Sequence, residues 1–194
     1  MPIYSFAVIC SSNVNRSVET HDLFMKNGMK VSSYGTGSKV KLPGKRQDTP
    51  KIYPFGTTYA AILADLIKTD EDLFTRRGII PMIRRDMTVK SAPQRFQQLK
   101  TVNEIDVIIC FDHTVYDKLV EDLQMRPMET MKCLHVFNMN VQDNPTEAAN
   151  GAKSALLLAN ILQKYDNIGT NIHLILDEFS RQTNIDLLYS QHFL

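Results

Sequence analysis

The chain is poor in cysteine. It has three, Cys10, Cys110 and Cys133, an odd number at wide spacings, with no CxxC pair and no histidine partner at zinc-finger spacing. That argues against a disulfide framework and against a structural zinc site, so the expectation is no metal and no cofactor. It leaves room for a lone reactive thiol in a reducing compartment, nucleus or cytosol.

Long apolar runs are also missing. VIIC at 107–110 and ALLLANIL at 155–162 are well short of the roughly 20 residues a bilayer requires. The opening MPIYSFAVIC is apolar but lacks a basic lead-in and a small-residue cleavage site, so it reads as a strand and not a signal peptide. Charge of one sign is not in excess: the formal net charge is +1, which gives no bulk reason for nucleic-acid binding. Repeats and low-complexity tracts are absent. What remains is an ordinary globular composition, 43% hydrophobic and 22% charged, in 194 residues. That length suits one domain spanning 1–194.

Hydrophobic periodicity orders the elements. Residues 3–10 end in an uncharged run and read as a buried strand. SSNVNR is a polar turn-forming loop. Ser17 is placed as N-cap of a helix that turns Val18, His21, Leu23, Phe24 and Met25 to the core and stops at Gly28. Residues 30–36 form a second strand. Residues 38–58, with three prolines and two glycines, read as a long exposed loop. Helices are expected over 59–68 and, capped by Asp70, over 70–78; residues 79–87 are interrupted by Pro81. Strands at 105–110 and 133–139 alternate with helices at 112–125, 146–165 and 169–182, and the tail IDLLYSQHF is an edge strand or docked end. Alternating strands and helices predict an α/β three-layer domain: a mostly parallel sheet of four to five strands with helices on both faces. In such sheets ligands bind at the carboxyl ends of strands.

At the end of the first strand stands CSSNVNRS, 10–17. Between a strand and a helix, the backbone N–H groups of Ser11, Ser12, Asn13, Val14 and Asn15 can be aimed at one centre, an anion cradle at the positive end of a helix. The same field favours a thiolate at Cys10. Arg16 offers a planar two-donor fork for phosphate oxygens. Ser17 is positioned to donate its hydroxyl to the sulfur. Asn13 and Asn15 tolerate positive φ. Cys-x5-Arg alone is a loose pattern; its position between a buried strand and a helix gives it weight over an inert turn.

Phosphoryl transfer to cysteine also needs a proton for the leaving oxygen. Asp143 follows a strand, precedes a helix and so shares a sheet edge with Cys10. Asp112 starts a helix at that edge, while Asp106 opens a strand and points away. The residues alone leave this choice open, since a turn or cap aspartate is the commoner role.

CSSNVNRS, SYGTGSKVKLPG, YPFGTTY and VQDN together resemble the Ssu-seventy-two family of RNA polymerase II C-terminal-domain phosphatases, relatives of the low-molecular-weight tyrosine phosphatases. The likeness runs from Ile3 to the tail, and the SNxNRS and VKLPG strings carry most of its specificity. It implies a cysteine-dependent, metal-independent serine phosphatase. Such an enzyme removes phosphate from the fifth-position serine of the polymerase heptad, with the next serine–proline bond cis. It also implies a nuclear role in transcription and mRNA processing, and a scaffold partner from the mRNA 3′-end cleavage machinery. Residue by residue, it makes Cys10 the nucleophile, Arg16 the phosphate clamp and Asp143 the general acid. Lys41, Leu42 and Pro43 flank the substrate peptide, and Met82 belongs to its pocket.

Departures mark a diverged paralogue: GKRQDTP after the KLP turn is more basic than the family pattern, Pro81 interrupts GIIPM, Asn140 stands in place of a frequent aspartate, and YSQHFL matches the usual tail loosely. Three rivals are distinguishable. An arsenate-reductase-like enzyme needs mobile resolving thiols, whereas Cys110 and Cys133 fall on expected buried strands. A tyrosine phosphatase needs an aromatic wall, for which Tyr34 and Tyr53 are the candidates. A non-catalytic phosphopeptide-binding paralogue has no need of Cys10, Arg16, Ser17 and Asp143 together. The five histidines lack ligand spacing and read as core-edge or surface residues. The basic run 39–46 is a solvated loop that also suits an acidic, phosphorylated substrate.

Overall fold

The computed structural model describes residues 4–46, 48–128 and 130–194. Ile3 of the expected first strand and Gln47 of the expected loop lie outside the described residues. Strand β1 (Ser5–Cys10) is buried along its length, and its alternate side chains enter two different layers. Phe6 and Val8 join one core cluster, Ala7 and Ile9 the other, as the two-residue period of a doubly covered strand requires. Strands β2 (Lys30–Gly35), β5 (Val107–Cys110), β6 (Cys133–Asn138) and β7 (Leu188–Phe193) complete a five-stranded sheet of order β2-β1-β5-β6-β7. The first four run parallel and β7 is antiparallel to β6.

Helices α1 (Arg16–Lys26), α5 (Pro145–Leu162) and α6 (Ile168–Thr183) cover one face, and α4 (His113–Met125) with the 96–105 segment covers the other. The chain leaves β1 toward β2 on one side and returns as β5 on the other, so the crevice at the carboxyl ends of β1 and β5 is the switch point where α/β sheets bind ligands.

A third apolar cluster lies beyond the sheet and is the main departure from the sequence reading. Residues 38–58 are not one exposed loop. They contain an antiparallel hairpin, β3 (Val40–Leu42) with β4 (Lys51–Tyr53). Val40 and Leu42 are buried against Tyr59, Ile62 and Leu66 of α2 (Tyr59–Arg76) and against α3 (Ile79–Val89). A three-residue strand is too short to show a periodicity, so prolines and glycines dominated the reading. The helices expected over 59–68 and 70–78 run on as α2 but are separated at Asp70, whose backbone is extended and whose carboxylate accepts from Leu73 N, the cap expected of it. Pro81 sits in the first turn of α3, where an N–H has no helical partner to lose.

In α1, Val18, His21 and Phe24 face the core as expected, but Leu23 is half-buried and Met25 is exposed. Gly28 does take positive φ just past the helix end. Helix α5 ends at Leu162, short of the expected 165.

Candidate active site

Residues 10–17 close a cup between β1 and α1. Five of its carbonyl oxygens are tied down by hydrogen bonds. Cys10 O accepts from Thr36 N at 3.1 Å and Ser11 O from Gly37 N at 2.9 Å. Asn13 O accepts from the Tyr59 hydroxyl at 2.6 Å and Val14 O from Arg85 at 3.0 Å. Asn15 O accepts from Glu19 N at 2.9 Å. Across a trans peptide the N–H points opposite to the C=O, so the amides of Ser11, Ser12, Val14, Asn15 and Arg16 face the inside of the cup. Asn13 makes the required bend in the left-handed region (φ 53°), whereas Asn15 stays at φ −101°, against the expectation for it.

Close approach of the walls is obligatory. A Cβ on Gly35 would lie 2.6 Å from Ser11 O and 3.0 Å from Asn13 N. Lys41 N donates to Ser12 Oγ at 3.1 Å, joining hairpin to loop.

Ser17 is not the N-cap; Asn15 holds that place and makes no side-chain cap. Ser17 is instead fully buried, its Oγ 3.0 Å from Cys10 Sγ. The surrounding bonds set the direction. Gln94 N donates to Asn13 Oδ1 at 2.9 Å, which turns the Asn13 Nδ2 donor to Ser17 Oγ and Ser33 Oγ, both at 3.1 Å. With that donor on its oxygen, the Ser17 hydroxyl proton is free for the sulfur. The Ser33 proton likewise goes to His21 Nδ1 at 2.8 Å. Burial first, then the nearby Lys90 charge, hold His21 down at about 4.

Arg16 is buried, and one end of its fork is spent. Nη1 donates to Val141 O at 2.7 Å and Phe111 O at 3.0 Å, and lies 3.4 Å from Asp112 Oδ2. Nε has no hydrogen-bond partner among the described residues and lies 3.6 Å from Asp143 Oδ1. The edge of the guanidinium toward the cup is therefore uncommitted. Val141 is fixed by packing: a Cβ on Gly151 of α5 would meet its methyl carbon at 2.7 Å. Two residues on, Asp143 is mostly exposed and accepts from Asn15 Nδ2 at 2.9 Å. Asn144 then caps α5 by accepting from Glu147 N, with Pro145 in the first turn.

The two rival aspartates are otherwise engaged. Asp106 sits at the opposite edge of the sheet, accepting from Ser5 and Lys132. Asp112 caps α4. Burial pushes its carboxyl up, but bonds from Thr114 and the Arg16 charge hold it below the usual carboxylate range.

A cleft of about 270 Å³ opens from Cys10 and is lined by Lys41, Leu42, Pro43, Met82 and Asp143. It thus joins all four residues of the expected substrate segment to the cup. Arg77 and Gly78 also line it, and the Arg77 guanidinium holds Gly44 O at 2.5 Å. Tyr34 and Tyr53 form no aromatic wall there: Tyr34 packs on Phe96 and Tyr53 donates to Asp65 at 2.7 Å. Cys110 is wholly buried, its thiol pushed up by burial and then by Cys10, and Cys133 is half-buried at the start of β6, where burial raises it too. Neither is a mobile resolving thiol. Among the described residues no group of histidine, cysteine and carboxylate side chains could hold a metal ion. The sequence reading missed Tyr59, Arg85, Ser33 and Lys90, which act on the loop from distant segments without a motif of their own.

The family model described as Ssu72-like protein matches residues 4–194. The RNA polymerase II C-terminal domain phosphatase SSU72 of Danio rerio is 40% identical over 187 residues, 96% of this chain and 95% of its own. The Homo sapiens protein of that name gives the same identity and coverage, 40%, 96% and 95%. A crystal structure of Drosophila melanogaster Ssu72 with Symplekin, bound to a cis peptidomimetic C-terminal-domain peptide phosphorylated on the fifth-position serine, superposes with a TM-score of 0.94 at 34% identity, covering 100% of both chains. A second Drosophila melanogaster structure, of the serine phosphatase of the RNA polymerase II C-terminal domain, gives 0.94 at 36% identity, covering 98% of this chain and 100% of its own.

Proposed function

Since the chain belongs to the Ssu72 family, we propose that it is a cysteine-dependent protein serine phosphatase acting on the fifth-position phosphoserine of the RNA polymerase II heptad. The serine–proline bond that follows is taken in its cis form. The whole chain, 1–194, is read as one phosphatase domain. The observation that carries the reading is the convergence of the Cys10 sulfur, the free edge of Arg16 and the Asp143 carboxylate on one amide-lined cup.

The Cys10 thiolate attacks phosphorus in line, forming the S–P bond as the P–O bond to serine breaks. Arg16 and the inward amides hold the equatorial oxygens while charge shifts. Asp143 gives its proton to the serine oxygen. Water then attacks the phosphocysteine, Asp143 takes the water's proton, and the sulfur leaves with the Ser17 hydroxyl donating to it. No step calls on a metal or cofactor.

The peptide lies in the cleft between Lys41, Leu42 and Pro43 on one side and Met82 on the other. A cis X–Pro bond is a minority of about 10–30% in unfolded peptides, so a cleft that accepts only that form draws on a small pool. The place of action is the nucleus, with the polymerase. A scaffold of the Symplekin kind is the proposed partner, as in the fruit-fly complex.

The test is to incubate the protein with heptad peptides phosphorylated at two positions and map which phosphate leaves. Release from the fifth position, abolished in Cys10→Ser, is expected. Preferential release from tyrosine or from another serine would overturn the substrate assignment.

A further inference from the structure

Behind the cup, on the side away from the cleft, lies a cation that this mechanism leaves idle. Lys90 follows α3 and turns inward, its ammonium donating to Ser33 O at 2.7 Å and to Asn13 Oδ1 at 3.2 Å, and lying 5.3 Å from the centre of the Tyr34 ring. Lys90 is half-buried, and a lysine drawn out of water is ordinarily paired with a carboxylate. This one has no ion-pair partner among the described residues; two neutral oxygens and an aromatic face take that place.

The oxygen it touches belongs to the amide that aims Ser17 at the sulfur, so Lys90, Asn13, Ser17 and Cys10 form one continuous relay. The neighbouring titratable groups do not neutralise it. His21, with Asp22 beside it on α1, is held neutral. On α3, Arg85 is paired with both Asp86 and Glu19. Tyr34 on β2 and Tyr59 on α2 are phenols, and Tyr59 is pushed further up by burial. The relay ends at the Cys10 sulfur.

We propose that Lys90 is a positioning residue for the reaction: it locks the Asn13 amide so that the Ser17 hydroxyl meets the Cys10 sulfur, and it places a positive charge behind the cup that favours the thiolate. The proposal rests on Cys10 being the nucleophile. Burial holds the Lys90 ammonium down at about 8, so that the charge is present at neutral pH and is lost above it.

The experiment measures the pH dependence of Cys10 alkylation by iodoacetamide, read at the Cys10 peptide by mass spectrometry, in wild type, Lys90→Met and Lys90→Arg. In Lys90→Met the midpoint is expected to rise by about one unit, tenfold less thiolate at acidic pH, with a matching fall in aryl phosphate turnover. Lys90→Arg keeps the charge and is expected to remain near wild type. A second measurement spares Lys90 altogether: by reciprocal linkage, removing the thiolate in Cys10→Ser lowers the midpoint of the Lys90 ammonium followed by NMR. An unmoved midpoint in Lys90→Met overturns the proposal. If that variant does not fold, equal Lys90 midpoints in wild type and Cys10→Ser overturn it instead. Persistent aryl phosphate turnover by Cys10→Ser would count against the catalytic reading itself, a separate failure.

Discussion

The Ser17 hydroxyl and the Cys10 sulfur, at the two ends of the phosphate loop, lie 3.0 Å apart, and the Asn13 amide leaves the hydroxyl proton only the sulfur to meet. A hydrogen bond to a charged group contributes about 1.5–3 kcal/mol. Ser17→Ala is therefore expected to slow turnover by about 10–100-fold, chiefly by slowing departure of sulfur from phosphocysteine. Rapid-quench kinetics should show the intermediate accumulating in a burst.

Asp143 stands on the opposite lip, held by Asn15. Asp143→Asn keeps that acceptor oxygen and removes the proton. General acid catalysis is worth about 10²–10⁴-fold, so phosphopeptide kcat should fall by that order. Aryl phosphates with acidic leaving groups should lose much less. Equal losses across a leaving-group series would contradict an acid role.

Arg77 ties the turn after Pro43 to the α2–α3 junction through Gly44 O and Lys45 O. Arg77→Met is expected to loosen one wall of the cleft. The KM of the phosphopeptide should rise by about tenfold, the size of losing one such charged bond, while kcat on a small aryl phosphate stays near wild type.

Gly35→Ala tests the back wall. The new Cβ meets loop backbone at Ser11 and Asn13 as well as the Phe55 ring. Overpacking of this kind costs about 1–3 kcal/mol, and here the strain falls on the cup. Chemical denaturation and aryl phosphate kinetics should both register it.

His21 supplies a pH test. Its folded value near 4 lies below the ordinary 6.5, because burial and Lys90 disfavour the charged form. The unfolded chain then binds the proton more readily, so stability rises with pH between 4 and 6.5 and is lost as pH falls through that window. The full effect is about 2 kcal/mol once partial exposure is discounted. In urea titrations across that range His21→Gln should flatten the dependence.

The sequence was informative wherever a local pattern has one physical meaning. Six residues of strand ending in Cys10, a loop of turn-formers and an arginine at the head of a helix fixed the cup and the thiol inside it, because strand, loop and helix are contiguous. Asp112 at the head of α4 and Asp106 at the far edge followed from alternation alone. The hairpin of Val40 and Leu42 did not, since its strands are stabilised by packing against α2 and α3 and not by their own pattern.

By itself the sequence determined which residues can do chemistry: a thiol, a fork of donors, a carboxylate and a hydroxyl at spacings set by covalent connection. Tertiary structure alone decided how they are oriented. Ser17, which the sequence offered both as a cap and as a donor to the sulfur, takes only the second role because Asn13 is held by Gln94 and Lys90, residues far along the chain. Arg16 acquired a free edge because carbonyls from two other loops took the other one. Hydrogen-bond direction and burial depend on neighbours brought together only when the sheet closes, and no window of sequence contains them.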